Sequence, residues 1–331
     1  MTPDLPELLA SAVPVGLPMR VRFRGVDVRE TVLFRGPAGW GEFGPFPEYD
    51  DAEASRWLAA GLASAWGAWP EPVRDAVEIN ATVPAVGPDR VADVLAGFDG
   101  CRTVKVKVAE RGQTLDNDVA RVAEVRALLG TAVNVRVDAN AAWTVDQARE
   151  ALTRLSAYDL QYAEQPCAEV HELAELRLLL AQHGVDVPIA ADESVRRAED
   201  PVRVAREGAA DLVVVKVAPL GGVDAALRIV AECGLPAVVS SALDTSVGIA
   251  AGVALAAALP ELDHACGLGT VGLLAADVAE HPLVPVNGRI TVADARAVVS
   301  AAEQPGLAGH ELTGERRAWW LQRLTRCHAL L

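Results

Sequence analysis

The sequence predicts an α/β fold in which a (β/α)7β-type barrel carries a smaller α+β capping domain. The first observation is a regular alternation of short apolar, β-branched runs and helical patterns, which begins at about residue 76. The second is that most of these runs carry one or two charges near their C-terminal end, where a barrel collects its catalytic groups. At 331 residues, the chain is long enough for one large barrel and a smaller domain, or for two ordinary domains.

Residues 1–75 are predicted to form the capping domain. The segment 21–34 alternates around a glycine, as a β-hairpin does. A loop rich in glycine, proline and aromatic residues follows, and two aspartates then open a helix predicted over 50–66. We expect the aromatic stretch 43–49 either to fold over the mouth of the barrel or to pack between the domains.

The barrel is predicted over residues 76–285. Its strands are expected at 77–83, 102–108, 133–138, 160–164, 188–192, 212–217, 236–241 and 263–267. Its helices are expected at 87–97, 115–129, 144–156, 169–182, 197–207, 222–233 and 246–258. Eight strands with seven intervening helices match a TIM-like barrel, although a doubly wound open sheet shows the same alternation. Residues 286–331 are predicted to be a C-terminal tail that returns to the capping domain or the barrel, because Trp319 and Trp320 need a surface to pack on.

The composition argues against nucleic acid as a ligand. The formal net charge is −15, from 45 acidic and 30 basic residues, and the sequence has no basic cluster. If the substrate is anionic, the positive groups that bind it must therefore be local. We expect a small anionic carboxylate, and no feature points to an obligate protein partner.

Several features predict a cytoplasmic protein that does not enter a membrane. The N-terminus lacks the positive start of a signal peptide. The most apolar run, 247–259, is shorter than the ~20 residues that a spanning helix needs. Five scattered cysteines without zinc-type spacing indicate free thiols in a reducing compartment.

Two lysines are expected inside the barrel at its C-terminal rim. Side chains alternate along a strand, so Lys105 and Lys107 share one face and the intervening valines share the other. If the valines contact the helices, both lysines face the interior. The alternative is a solvated edge strand with two ordinary lysines.

Three carboxylates are expected to converge next to these lysines. Asp138, Glu164 and Asp192 end the next three strands, and neighbouring strands lie ~5 Å apart. A set of carboxylate oxygens favours a hard cation, so we expect Mg2+, with Mn2+ as the alternative. Without a metal, the same acids would instead pair with the lysines as buried salt bridges.

Lys216 ends the sixth strand, across the barrel from Lys107. A lysine on each side of a metal would give a bound carboxylate substrate a cation on each face. One of the two could serve as a base, which indicates abstraction of a proton α to the carboxylate.

These strand ends resemble the enolase superfamily, in its muconate-lactonizing enzyme subgroup. The resemblance rests on the Lys-x-Lys of the second strand, the three acids of the third to fifth and the lysine of the sixth. The segments 39–46, 240–248 and 265–270 extend it over nearly the whole chain.

The resemblance implies roles for five residues. Lys107 would be the acid–base group, Lys216 the cation on the opposite face, and Asp138, Glu164 and Asp192 the ligands of Mg2+. The implied reaction is a dehydration in menaquinone biosynthesis, which turns a succinyl-hydroxycyclohexadiene carboxylate into an aromatic product. Lys107 would remove the α-proton and return it to the departing hydroxyl on the same face.

Further residues are predicted around this centre. Arg136 either orients Lys107 or pairs with an acid in the barrel core. Asn140 is expected to support a metal ligand. Alternation lets only one of Asp192 and Glu193 face inward, and the resemblance favours Asp192 as the ligand and Glu193 as the partner of a lysine.

Four residues at the last two strand ends are predicted to bind substrate. They are Ser240, Ser241, Gly267 and Leu268. The serines could bind a carboxylate through a hydroxyl or a backbone N–H, although serine near a strand end is often a structural cap.

Other functions fit the same site. A racemase of N-succinylamino acids, or a cycloisomerase, needs the same lysines and metal ligands. A dipeptide epimerase would carry Asp-x-Asp where this chain has Gly267-Leu268-Gly269. A barrel that binds ligand without catalysis would have lost a lysine or a ligand, and none is missing.

Overall fold

The computed structural model of the protein describes residues 3–23, 25–197 and 202–331. Its strands are β1 (Val13–Phe23), β2 (Val26–Gly36), β3 (Gly39–Phe43), β4 (Ala76–Glu78), β5 (Ala81–Val83), β6 (Thr103–Lys107), β7 (Asn134–Asp138), β8 (Leu160–Glu164), β9 (Ile189–Ala191), β10 (Leu212–Val215), β11 (Ala237–Val239) and β12 (Arg289–Thr291).

The helices follow the predicted alternation between the strands. They are α1 (Leu5–Ser11), α2 (Asp51–Trp66), α3 (Val91–Leu95), α4 (Leu115–Leu129), α5 (Val145–Leu155), α6 (Val170–Gln182), α7 (Glu193–Arg197), α8 (Arg203–Arg206), α9 (Val217–Leu220), α10 (Val223–Cys233), α11 (Ser246–Ala258), α12 (Val292–Ser300) and α13 (Gly314–His328). Part of the helix predicted at 197–207 lies outside the described residues.

The N-terminal sheet is antiparallel, in the order β1-β2-β3. The predicted hairpin is present as β1 and β2, while β3 was not predicted because glycine and tryptophan alternate in it. Those glycines serve packing: a Cβ on Gly41 would lie 2.3 Å from the carbonyl oxygen of Gly61 in α2. Helix α2 begins where predicted, since the Asp50 side chain accepts a hydrogen bond from the Glu53 N–H at 2.7 Å.

The barrel consists of a seven-stranded parallel sheet in the order β5 to β11, with helices between the strands. The predicted α/β barrel with a separate antiparallel unit is therefore confirmed. Alternate strand residues form a small inner core of Tyr162, Ala190, Leu212, Val214 and Val238, whereas their neighbours belong to the larger core beneath the helices.

The first and last predicted barrel strands need correction. Residues 77–83 are divided, because β4 pairs antiparallel with β12 and β5 joins the barrel. Residues 263–267 form no extended strand: Cys266 bridges to Ile79 and Gly267 to Ser240, and these single bridges close the barrel. Gly267 fits there because a Cβ would lie 2.5 Å from the Ser240 hydroxyl oxygen.

The C-terminal helix α13 packs on the N-terminal sheet. Trp320 is fully buried, its ring meets Phe43 edge-on at 6.0 Å, and its indole N–H donates to Glu30 at 2.8 Å. Among the described residues, none of the helices combines the length and the apolarity that crossing a membrane requires.

Candidate active site

The charged side chains of neighbouring strands meet inside the C-terminal rim of the barrel. Lys107 is in register with Asp138, and Asp138 with Glu164. Asp192 follows the last residue of β9, and Lys216 follows the last residue of β10. Each of these residues is more than nine-tenths buried. The intervening valines of β6 lie in the outer core, as alternation predicts.

These residues surround a small pocket at the end of the barrel. Its lining combines barrel residues with two phenylalanines of the N-terminal segment. The lining residues are Phe23, Phe46, Thr82, Lys105, Lys107, Asp138, Asn140, Glu164, Asp192, Lys216, Ser240, Ser241, Ala242, Leu243, Gly267 and Thr270.

The lysines and the acids form a buried network of ion pairs. The Lys105 ammonium lies 2.9 Å from Glu164 and 3.3 Å from Asp138. Lys107 pairs with Asp138, and Lys216 pairs with Asp192. The sequence contains three lysines, and all of them are in this network. The three positive charges therefore face the three carboxylates that were predicted as metal ligands.

Burial and neighbouring charges shift the pKa values within the network. Burial and the negative charge of Asp138 raise the pKa of Glu164 to about 7. Burial acts in the same direction on Asp138, but Lys107 and Lys105 outweigh it and hold its pKa below the usual range. Burial disfavours the charged form of Lys105, yet Glu164 and Asp138 raise its pKa above the usual range. Glu164 is thus more easily protonated than Asp138.

The donor set fits a hard divalent cation. Within the described ranges, which omit 1–2, 24 and 198–201, no three His, Cys, Asp or Glu side chains are grouped closely enough to hold a metal ion. However, Asp138, Glu164 and Asp192 offer oxygen ligands from three adjacent strand ends, with no thiolate or imidazole among them. Asp138 and Asp192 both raise the pKa of Glu164, and a bound cation would relieve that repulsion.

Asn140 connects the acid–base candidate to its surroundings. Its side-chain oxygen accepts a hydrogen bond from Lys107 at 2.8 Å, and its amide nitrogen donates to Glu193 at 3.3 Å. Its backbone N–H also donates to Asp138 at 3.0 Å. Asn140 therefore contacts both Lys107 and a predicted metal ligand, while Glu193 is buried beside Asn140.

The serines at the end of the seventh barrel strand contact residues 267–270, in the segment that closes the barrel. The Ser241 hydroxyl donates to the Gly267 carbonyl at 3.0 Å and lies 2.7 Å from the Thr270 hydroxyl. The Ser241 N–H also donates to the Gly267 carbonyl at 3.1 Å. Ser240, Ser241 and Gly267 all line the pocket, together with Thr270, which was not predicted.

Two predicted site residues do not line the pocket. The Arg136 guanidinium donates to Gln161, Asn80 and the Ala265 carbonyl, and covers the Tyr162 ring at 4.7 Å. Arg136 was expected to contact either Lys107 or an acid, and it contacts these groups instead. The reason is that Arg136 lies deeper along its strand, below the residues that line the pocket. Leu268 points outward, since a Cβ on Gly252 of α11 would lie 2.5 Å from its side chain.

Sequence reasoning missed the pocket residues that come from distant segments. Phe23 lies at the hairpin turn, and its ring centroid is 5.2 Å from the Lys107 ammonium nitrogen. Phe46 belongs to the aromatic stretch, which both lines the pocket and packs against Tyr49 and Trp57. Only the aromatic content of residues 43–49 signalled such a contribution.

Comparisons with known proteins identify the family. A model described as enolase C-terminal domain-like matches residues 89–310, and one described as enolase N-terminal domain-like matches residues 14–65. The o-succinylbenzoate synthase of Mycolicibacterium smegmatis is 56% identical over 99% of this chain and 98% of that protein. That of Thermobifida fusca is 56% identical over 92% of this chain and 95% of that protein.

Solved structures agree on the fold. A muconate lactonizing enzyme from Pseudomonas fluorescens superimposes with a TM-score of 0.72 at 22% identity, covering 94% of this chain and 97% of that one. The L-Ala-D/L-Glu epimerase from Bacillus subtilis gives 0.71 at 22% identity, covering 91% and 98%. The chain belongs to the enolase superfamily, as predicted. Within it, the relatives named above are o-succinylbenzoate synthases.

Proposed function

We propose that the chain catalyses the o-succinylbenzoate synthase reaction. In this reaction 2-succinyl-6-hydroxy-2,4-cyclohexadiene-1-carboxylate loses water and becomes the aromatic o-succinylbenzoate, a step of menaquinone biosynthesis. The observation that carries the proposal is the pocket itself: Lys107 and Lys216 stand on either side of the three carboxylates, in a chain that is 56% identical to such synthases over nearly its whole length.

Asp138, Glu164 and Asp192 would hold Mg2+, with Mn2+ as a possible substitute. The bound cation would offset the negative charge that develops on the substrate carboxylate when its α-proton is removed. The lysines of the network would supply the remaining positive charge for an anionic substrate. The pocket contains no further cation among the residues that line it.

Lys107 would perform both proton transfers. As the neutral amine it removes the α-proton, so that the C–H bond breaks and its electrons move onto the substrate carboxylate. The same ammonium then protonates the departing hydroxyl, the C–O bond breaks, the electron pair returns as a ring double bond, and water leaves as the ring becomes aromatic. Asn140 holds the Lys107 nitrogen by a 2.8 Å hydrogen bond, and Phe23 covers it from the N-terminal sheet.

Lys216 would remain an ammonium on the opposite side of the substrate. It pairs with Asp192, and it would stabilise negative charge on the face away from Lys107. Arg136 is assigned no step, because it contacts barrel side chains below the pocket.

The test follows ultraviolet absorbance while purified protein and Mg2+ are given the hydroxycyclohexadiene carboxylate. Metal-dependent aromatisation, abolished by EDTA and restored by Mg2+ or Mn2+, is the expected result. No reaction from folded, Mg2+-binding protein would contradict the proposal, and racemisation of an N-succinylamino acid would then be measured.

We further propose a cytoplasmic location, which the five free thiols support.

A further inference from the structure

A buried polar cluster joins the N-terminal sheet to the barrel outside the catalytic network. It consists of Arg29 of β2, Glu42 of β3, and Asp244 and Thr245, which precede α11. All four side chains are at least nine-tenths buried. We call this group the interface cluster. The proposed chemistry uses none of its members.

Glu42 holds the start of α11 from the side of the N-terminal sheet. Its carboxylate accepts hydrogen bonds from the Thr245 hydroxyl at 2.7 Å and from the Thr245 N–H at 3.1 and 3.2 Å. It also accepts from the Gly248 N–H at 2.9 Å. A Cβ on Gly248 would lie 2.8 Å from that carboxylate oxygen, so glycine permits this approach.

Arg29 holds Leu243, which lies three residues before the first residue of α11. Its Nε donates to the Leu243 carbonyl at 2.9 Å, another guanidinium nitrogen donates to the Gly44 carbonyl, and the group covers the Phe46 ring at 4.7 Å. Leu243 has a φ of +61°, a left-handed conformation that is unfavourable for leucine and needs support from its surroundings. The Asp244 side chain adds support by accepting from the Ala242 N–H at 3.0 Å.

The segment held in this way is also one wall of the catalytic pocket. Ser240, Ser241, Ala242 and Leu243 line the pocket, as does Phe46 beneath Arg29. These four residues therefore line the same pocket as the catalytic lysines, while the interface cluster is hydrogen-bonded directly to Ala242 and Leu243 of the same segment. A change in either Arg29 or Glu42 would release this wall without touching Lys107 or the predicted metal ligands.

We propose that Arg29 and Glu42 are positioning residues that set substrate affinity by holding residues 240–243 as the wall of the pocket. The inference rests on the proposed function for the choice of substrate. It assigns to the N-terminal sheet a role in binding rather than in proton transfer, so loss of the contact should raise KM more than it lowers kcat.

The test compares wild type, Arg29→Lys and Gly248→Ala at pH 8 with Mg2+. Lysine keeps the charge but cannot reproduce the forked contacts of arginine. Alanine at 248 removes no charge and favours helix, yet its Cβ would lie 2.7 Å from the Asp244 Cβ and 2.8 Å from the Glu42 carboxylate oxygen, so it displaces both of these members of the interface cluster. Arg35→Lys is the matched control, because Arg35 is exposed on the same strand.

Both test variants are expected to raise KM, and the dissociation constant of o-succinylbenzoate measured by calorimetry, by about ten-fold, the effect of one lost hydrogen bond to a charged group. Their kcat should stay within about three-fold of wild type, and Arg35→Lys should match wild type throughout. An unchanged KM in folded variants, or a fall in kcat alone, would overturn the inference. If Arg29→Lys does not fold, Gly248→Ala decides the question.

Failure of the proposed function gives a different result. Wild type would then not aromatise the substrate at all, whereas the inference predicts normal turnover by wild type and a change only in the variants.

Discussion

At the scale of single residues, the site depends on three lysines that no other lysine can replace. The three lysines of the sequence are all in the buried network, so no other lysine can substitute for them. Lys105 contacts Asp138 and Glu164, and Lys107 contacts Asp138. The strand alternation predicted this inward placement, because each lysine is flanked by valines that belong to the outer core.

Lys105 is expected to stay protonated well into the alkaline range in the metal-free protein. Its two carboxylate partners raise its pKa above that of free lysine, so it contributes stability that persists until the pH rises through this raised value. Labelling with isotopic lysine gives three side-chain resonances, assigned by Lys→Arg variants. The Lys105 resonance should show no titration at the pH where free lysine titrates, and a normal titration there would contradict the network.

At the scale of elements, sequence patterns predicted the helices and strands that alternate locally. Helices α4, α10 and α11 match their predicted bounds to within one residue, since apolar periodicity and capping residues are local signals. Strand β3 was missed because its glycines are explained by contact with α2, which the local residue pattern does not show. The predicted strand 263–267 was wrong in extent, because Gly267 makes only a single bridge to Ser240.

The contact between β3 and α11 predicts a dependence of stability on pH. Burial and the negative charge of Asp244 raise the pKa of Glu42 to about 7, from an ordinary value of 4.5. The folded chain therefore holds a proton that the unfolded chain has lost, and this contribution to stability disappears as the pH rises through about 7.

Denaturant unfolding of wild type and Glu42→Gln at pH 5 and pH 8 measures this effect. Wild type should lose on the order of 2 kcal/mol more of its free energy of unfolding than the variant between these pH values. Equal losses in the two proteins would show that Glu42 does not titrate in this range.

At the scale of the whole molecule, the pocket is assembled from segments that no local pattern connects. The acids, Lys107 and Lys216 could be located from strand ends alone, because parallel strands deliver their C-terminal residues to one rim. Phe23, Phe46 and Thr270 could not, since their positions depend on how the N-terminal sheet and the closing segment pack on the barrel. Arg136 and Leu268 were predicted to be site residues, but they do not line the pocket. The sequence alone does not show how the segments around them pack.

The C-terminal helix is expected to contribute strongly to this assembly. Trp320 is fully buried against Phe43 and donates to Glu30, so Trp320→Ala should lower the free energy of unfolding by about 3 to 5 kcal/mol. Leu321→Ala, at a partly exposed position in the same helix, is the control. Denaturant unfolding that gave the two variants equal losses would contradict this role for α13.

The most direct test of the account is the rate of aromatisation by Lys107→Ala. Wild type and variant are compared with saturating Mg2+ and hydroxycyclohexadiene carboxylate, and circular dichroism and binding of o-succinylbenzoate confirm that the variant is folded and has an intact pocket. Because one group performs both proton transfers, kcat should fall by about 10³-fold or more while product binding persists. Turnover near the wild-type rate would contradict Lys107 as the acid–base group.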